Sequence, residues 1–164
     1  MNNIKGLLQR SKTRKKLNNN NYEDIYDGEV WSHINSVIEI DKKPFFDSWY
    51  NIAWAVGIDG GPLHKKNGIT PIIGMCMSLP PEQRYELKNT SLLGYYIGDL
   101  TPDYQEMLIP FVKTWKQDCL ISGIPITIDK ETVTTRHVFL YFDTDMKLKC
   151  PLMMYNNGGE CTCY

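Results

Sequence analysis

Nowhere among the 164 residues is there a run of 18 apolar positions. Gly, Pro, Asp or Lys interrupts every hydrophobic stretch within about a dozen residues, so a transmembrane helix is excluded and no membrane partner is expected. An excess of one charge sign is also missing. Eighteen Lys and Arg stand against 19 Asp and Glu, for a net charge of -1, and the strongly basic footprint of a whole nucleic-acid-binding domain is therefore absent. The three histidines, His33, His64 and His137, hold no spacing relation to one another or to a Ser or Cys nucleophile, which leaves a triad hydrolase without support. No GxxxxGK[ST] or GxGxxG loop occurs, and nucleotide-binding readings drop out with it. The opening residues, MNNIKGLLQRSKTRKK, lack the apolar centre and small-residue cleavage site of a secretory signal, so an intracellular setting is expected. The five cysteines, Cys76, Cys119, Cys150, Cys161 and Cys163, are odd in number and show no disulfide spacing. Free thiols and metal ligands both stay open for them.

What is there is enough for one core. The length suits a single domain of about 100 to 200 residues, and 42% hydrophobic with 12% aromatic residues supplies the apolar surface that a disordered chain lacks. Residues 1–21 are set apart by composition: Lys5, Arg10, Lys12, Arg14, Lys15 and Lys16 precede the first acidic residue, Glu23, and an Asn run follows. They read as a disordered basic and Asn-rich tail, or as a nuclear-import signal or phosphate-contacting arm with Arg10, Lys12, Arg14, Lys15 and Lys16 as its DNA contacts. Residues 22–49 form an aromatic lead-in with a short helix expected at 28–38. In the segment 50–59, large residues (Ile52, Trp54, Val56, Ile58) alternate with small ones (Ala53, Ala55, Gly57), the pattern of a strand covered on both faces, with Asp59 on the small-residue side. Strands are expected at 69–79, with Pro71 at its start or on an edge, and at 91–100, completing an antiparallel meander. Thr101 and Pro102 open an amphipathic helix of about 18 residues, bent at Pro110, with Met107, Leu108, Phe111, Val112, Trp115, Cys119 and Leu120 on one face and Gly123 as its stop. A polar turn at 129–132 leads to a fourth strand at 134–142.

Three meandering strands, a crossover helix and a parallel fourth strand make an α/β arrangement, the first half of a ribonuclease H-like fold, incomplete at its C-terminal side. Acidic residues stand where the first and fourth strands end: Asp59, and the pair Asp143 and Asp145. If those strands are neighbours, their carboxylates meet at one sheet end, where two or three suffice for Mg²⁺ because the ion keeps waters and phosphate oxygens as its other ligands. Aspartates that merely cap turns are the alternative. Cys161 and Cys163, with Cys150 before them, offer an incomplete set of soft ligands for Zn²⁺, which normally takes four.

Taken in order, YEDIYDGEVW, NIAWAVGIDGGPL, the stretch from ITPIIGMCMSLPPEQR through GYYIGDLTPDYQEMLIPFV, and VFLYFDTDMKLKC followed by GGECTCY resemble the transposase domain of eukaryotic CACTA-like elements, notably the Plavaka-type group. The resemblance spans residues 22–164, and divides them into the lead-in at 22–49, a core at 50–150 and a Cys-containing turn at 151–164. It implies a DDE/D transposase that uses Mg²⁺ or Mn²⁺ to hydrolyse DNA phosphodiesters at transposon ends and join them to target DNA, acting in the nucleus. Asp59 matches the first catalytic aspartate and Asp143 the second, with Asp145 as the two-residue alternative. Where relatives carry Pro-Ala after the second aspartate, this chain has Thr144, Asp145 and Met146. The family's third acidic residue lies on a later helix that these residues do not contain, and the Cys-x-x-Cys of its turn is represented by Cys161 and Cys163. The resemblance therefore implies a truncated catalytic domain, expected to be inactive as it stands, with a homo-oligomer or a full-length transposase as its protein partner. The alternative is a non-catalytic, transposon-derived DNA-binding or regulatory protein.

Overall fold

The computed structural model describes Leu8 and residues 24–64, 67–99, 104–128 and 130–144. The Arg10 to Lys16 arm, Asp145, Cys150, Cys161, Cys163 and the Thr101–Pro102 cap fall outside those residues. The described chain is mixed α/β and rich in strands. Helix α1 (Glu29–Val37) is followed by a small hairpin of β1 (Glu39–Ile40) and β2 (Lys43–Pro44). The central elements are β3 (Ile52–Ile58), β4 (Gly61–His64), β5 (Asn67–Cys76), the short helix α2 (Pro81–Arg84) and β6 (Thr90–Asp99). Helix α3 (Tyr104–Trp115) continues into a π-helical stretch, Lys116–Ser122, before β7 (Ile124–Ile128), β8 (Glu131–Thr135) and β9 (His137–Thr144).

Five of these strands make one sheet. β5 pairs antiparallel with β3 and β4 along one edge and with β6 along the other, while β9 lies parallel to β3. β3 and β4 run end to end along β5, separated only by Asp59 and Gly60, so the sheet is four strands wide: β6, β5, β3 with β4, then β9. Glycine at this break has a steric reason. A Cβ there would lie 2.9 Å from Oγ1 of Thr70, and Thr70 is itself buried. The antiparallel pairing of β3, β5 and β6, the helix after β6 and a last strand parallel to β3 follow the expected order, although the last strand begins at His137.

The alternation of small and large side chains along β3 explains the two-sided core. Ala53 and Ala55 leave room for Trp31, Phe45 and Phe46, which pack with Met77 and Val138 on one face. There the Trp31 and Phe46 rings stack at 3.6 Å, and Tyr26 meets Trp31 edge-on. On the opposite face Val56, Ile58 and Ile72 receive Leu108, Met107 and Phe111 of α3, with Phe139 and Phe142 of β9. Burial of this order stabilises by about 1.5 to 3 kcal/mol for each large side chain.

Three local features differ from the sequence expectation. The stretch 134–142 is not one strand: Thr134 and Thr135 close a β7–β8 hairpin and His137 opens β9. That hairpin pairs Ile128 with Glu131, with Lys130 at φ 70°, and its IPITI and ETVTT halves carry the period-two pattern of strands. The β1–β2 turn is likewise tight, with Asp41 and Lys42 both at positive φ, the geometry of a two-residue type I′ hairpin. Within the amphipathic helix, Val112 is exposed rather than buried, although Met107, Leu108, Phe111 and Leu120 of its expected face pack inward.

Candidate metal centre

The position of Asp143 is set by a bulge. β9 follows β3 in register from Ile52 with His137 to Trp54 with Phe139; then Ala55 pairs with Tyr141, and Leu140 is the extra residue. Beyond that point Val56 pairs with Phe142 and Gly57 with Asp143. In a strand the side chains alternate between faces, so one inserted residue moves everything after it to the other side. Without Leu140 as the extra residue, Asp143 would be opposite Ile58, on the face covered by α3. With it, Asp143 shares the face of Ala55 and Gly57, and Phe142 turns inward to the α3 side.

Asp59 follows Ile58 directly at the end of β3 and falls on the face of Gly57 by the same alternation. Asp59 and Asp143 are both exposed, and both line an open recess of about 400 Å³ with Gly57, Pro71, Ile73 and Thr144. Gly57 forms its floor: an added Cβ there would meet nothing closer than the Ile73 carbonyl oxygen at 3.8 Å. Two carboxylates beside a gap that lacks a side chain offer hard oxygen donors and space for water, which suits Mg²⁺ or Mn²⁺. Among the described residues no group of three or more His, Cys, Asp or Glu side chains comes together, so this pair is a partial ligand set. Asp145, the alternative second acid, is outside the described residues.

Near Asp143 stand two hydroxyls, those of Tyr141 and Tyr85, that no motif or spacing in the sequence marks. Tyr141 is held above the usual tyrosine range by burial, with its hydrogen bond to Tyr85 and the nearby Asp143 adding to the effect. Its hydroxyl also lies 3.9 Å from Sδ of Met77. Tyr141 stays neutral at ordinary pH and presents its hydroxyl as a hydrogen-bonding group at the edge of the carboxylate face.

The other candidates are structural. Imidazole Nδ1 of His137 accepts from Trp54 Nε1 at 2.9 Å. Indole N–H is donor only, so the proton of the neutral ring sits on Nε2, which donates to Thr135 Oγ1 at 2.9 Å. Thr135 in turn donates to the Ile124 carbonyl at 3.1 Å. Burial lowers the His137 pKa to about 4, and both nitrogens are in use, so this ring is a brace between β3, β9 and the β7–β8 hairpin. Cys76 and Cys119 are free thiols. Burial pushes the Cys76 thiol up to about 11, which keeps it protonated and unreactive.

Arg84 was visible in the sequence only as one letter of the segment after β5, and the fold gives it a definite role. Its Nε donates to the Met77 and Leu79 carbonyls at 3.1 and 2.7 Å, and Nη2 meets Asp24 Oδ1 at 2.6 Å. Its side chain is 5% exposed and that of Asp24 2%. The guanidinium also lies 5.6 Å from the centre of the Tyr26 ring, whose hydroxyl donates to the Ser78 carbonyl at 2.9 Å. Burial, the largest influence, raises the Tyr26 pKa to about 12. The IYDG and LPPEQR motifs thus tie the lead-in to the end of β5 rather than to a substrate.

No protein-family model, curated protein or solved structure matches the chain. Among the described residues no helix is long and apolar enough to cross a membrane.

Proposed function

We propose that this chain carries part of the catalytic domain of a DNA transposase of the CACTA-like, DDE/D kind, with a ribonuclease H-like sheet and Asp59 and Asp143 as two of its metal-binding carboxylates. The single observation that carries the reading is the Leu140 bulge, which turns Asp143 onto the face of Asp59 beside the floor left open by Gly57. The strand order, with β9 parallel to β3 and antiparallel neighbours beyond, agrees with that fold.

In this reading Asp59 and Asp143 hold Mg²⁺ or Mn²⁺, which supplies Lewis-acid activation of a phosphodiester when bound. The chain's own contribution is to hold both carboxylates on rigid strand ends. Gly57 keeps a side chain out of the recess. Among the described residues only these two carboxylates are assigned to the site, and a catalytic unit short of one member loses orders of magnitude in rate. The chain alone is therefore expected to bind metal and to show little or no DNA joining. Its place of action would be the nucleus, where the DNA is.

Isothermal titration with Mn²⁺ tests the reading. The chain should bind Mn²⁺, and Asp59→Asn and Asp143→Asn should each remove the binding while Asp47→Asn leaves it. Absence of Mn²⁺ binding to the unmutated chain overturns it. The second reading is a non-catalytic DNA-binding or regulatory remnant, and it fits the fact that no group of three or more His, Cys, Asp or Glu comes together among the described residues. It predicts metal-independent duplex binding whose affinity depends on Arg10, Lys12, Arg14, Lys15 and Lys16. Five such phosphate contacts would give a log–log salt slope of about -4.5. Zn²⁺ at Cys161 and Cys163 would appear in a parallel titration with Zn²⁺, as binding lost on Cys161→Ser.

A further inference from the structure

β6 is one margin of the sheet. Among the described residues it pairs with β5 alone, and the outer edge of such a strand presents a row of backbone N–H and C=O groups able to template a further strand. Edge strands are commonly guarded by short length, Lys, Pro or a bulge. β6 is long, Thr90–Asp99, and Thr90 to Gly98 holds neither a charged residue nor a proline. Its exposed side chains are apolar: Leu92 at 65%, Tyr95 at 62% and Ile97 at 54%. They share the face of Ile73, Pro71 and Ile69, their partners in β5, whereas Leu93 packs on the α3 side with Ile72 and Leu108. The one guard present is a bulge. A bulged edge is out of step with a regular strand, but it is in step with an identical bulge facing it.

We infer that β6 pairs antiparallel with β6 of a second copy of this chain, about a two-fold axis between Leu93 and Gly94. The bulge selects that partner. Ile72 pairs with Gly94 and Ile73 with Leu92, so Leu93 is the extra residue and falls with Gly94 on the α3 side, where a Cβ on Gly94 would meet Cδ1 of Ile72 at 3.8 Å. On either side of this doublet the faces alternate normally, and the order of faces from Thr90 to Ile97 therefore reads the same in both directions. Set antiparallel to itself, the strand matches Thr90 with Ile97, Ser91 with Tyr96, Leu92 with Tyr95 and Leu93 with Gly94, each pair on one face. A slip of one residue reverses the faces. A slip of two puts the bulges out of step, setting Gly94 against Tyr95 or Leu92 against Leu93, residues of opposite faces. Charge fits the same axis: the nearest charged residues in the sequence, Lys88 and Asp99, are opposite in sign and equally far along the chain from its midpoint. Leu92 opposite Tyr95, formed twice, is a favourable cross-strand pair. The contact involves fewer than the roughly 20 to 30 residues a side of a standard interface, so the dimer should exchange with monomer.

The inference goes beyond the proposed transposase reading and does not need it: the pairing is tested without metal or DNA. In sedimentation of the full chain the mass should rise with concentration from 19.0 kDa toward twice that value. A variant carrying Leu92→Lys and Tyr95→Lys sets like charges opposite each other at both pairs and adds the usual edge guard. Both side chains are exposed, so its near-ultraviolet circular dichroism should be unchanged while dimerisation weakens by about tenfold or more. Mixing it with a variant carrying Leu92→Glu and Tyr95→Glu should restore a mixed dimer, because the register then opposes unlike charges. The register itself is read by photo-crosslinking: benzoylphenylalanine at Tyr95, in an equal mixture of unlabelled and nitrogen-15-labelled chains, should crosslink to residues 90–94 in products of mixed isotope. A mass that stays at 19.0 kDa up to about 1 mM overturns the inference. So does dimerisation that the Lys variant leaves intact, or a mixed-isotope crosslink elsewhere in the chain. Crosslinks confined to a single isotope overturn it too, since they identify a segment of the same chain as the occupant of the edge.

Discussion

The parallel pair β3 and β9 has two ends that use polar residues in opposite ways. At the starting end most polar groups are committed, with Nε of Arg136 and Oδ2 of Asp24 as the buried exceptions. Asn51, 4% exposed, donates to the Phe45 carbonyl at 2.7 Å and accepts from the Arg136 amide at 3.1 Å. The Ser78 hydroxyl accepts from the Ala53 amide at 3.0 Å. His137 is fixed between Trp54 and Thr135, and Arg84 between Asp24 and two carbonyls. At the finishing end Asp59 and Asp143 are exposed beside an open recess. A buried polar group must be satisfied or its desolvation is lost outright, by about 1 to 3 kcal/mol. An exposed carboxylate carries no such obligation, so it remains available to a ligand. The difference separates residues kept for the fold from residues able to do chemistry, although both sit on the same two strands.

The largest effect is expected from breaking the committed end at Arg84. Arg84→Met removes a buried cation and leaves Asp24 unpaired, with two carbonyls bereft of their donor. Breaking a buried pair in this way costs about 3 to 5 kcal/mol. Urea unfolding should show the loss as a lower midpoint. A change below about 1 kcal/mol, well short of that range, would mean that the Asp24 pair is not the tie between lead-in and sheet.

His137 makes the same end sensitive to acid. Its folded pKa of about 4 lies below the ordinary 6.5, so the unfolded chain binds a proton that the folded one refuses. The contribution is therefore complete above pH 6.5 and is lost as pH falls through about 4, on the order of 2 to 3 kcal/mol in all. Unfolding curves between pH 7 and 4 should show the decline, and His137→Gln should flatten it. On the alkaline side Cys76, raised to about 11, and Tyr26, raised to about 12, act with the opposite sign. Their stabilising effect is present below about pH 9 and 10 and fades as pH rises through the raised values.

Between the two ends stands Gly60, where the chain breaks β3 from β4 and releases Asp59 to solvent. Gly60→Ala places a Cβ against the buried Thr70, and the crowding should cost about 1 kcal/mol. If the backbone shifts to relieve it, Asp59 moves as well, and Mn²⁺ affinity should fall together with stability.

Much of this arrangement is written in local pattern. The alternation of large and small residues from Ile52 to Ile58 marks a strand with two covered faces, and the periodicity from Met107 to Leu120 marks the crossover helix. What periodicity does not carry is register. The Leu140 bulge leaves the apolar run VFLYF unchanged to the eye, yet it decides which face Asp143 takes. The β7–β8 hairpin escaped for a related reason: Thr134 and Thr135 join His137 in one continuous β-prone stretch, and the division at Arg136 comes from long-range bonds of Asn51 and Ile124. Asp59 was placed by its sequence position, whereas the brace around His137 depends on Trp54, 83 residues away, which no spacing rule could indicate.

The smallest change in stability is expected where the proposed chemistry lies, and that contrast is the sharpest test of the comparison. Asp59→Asn and Asp143→Asn replace exposed carboxylates with amides of nearly the same shape, so unfolding free energy should move by no more than about 0.5 kcal/mol. Two exposed carboxylates on one face repel each other weakly, and the shift is expected toward stabilisation. Mn²⁺ binding, by contrast, should disappear in either variant, because each removes a hard anionic oxygen from a pair that has no third partner among the described residues. Stability that falls by 2 kcal/mol or more would place these aspartates with Asn51 and His137, as groups committed to the fold. Unchanged stability with lost metal binding would instead mark the finishing end as the part of the sheet reserved for a ligand.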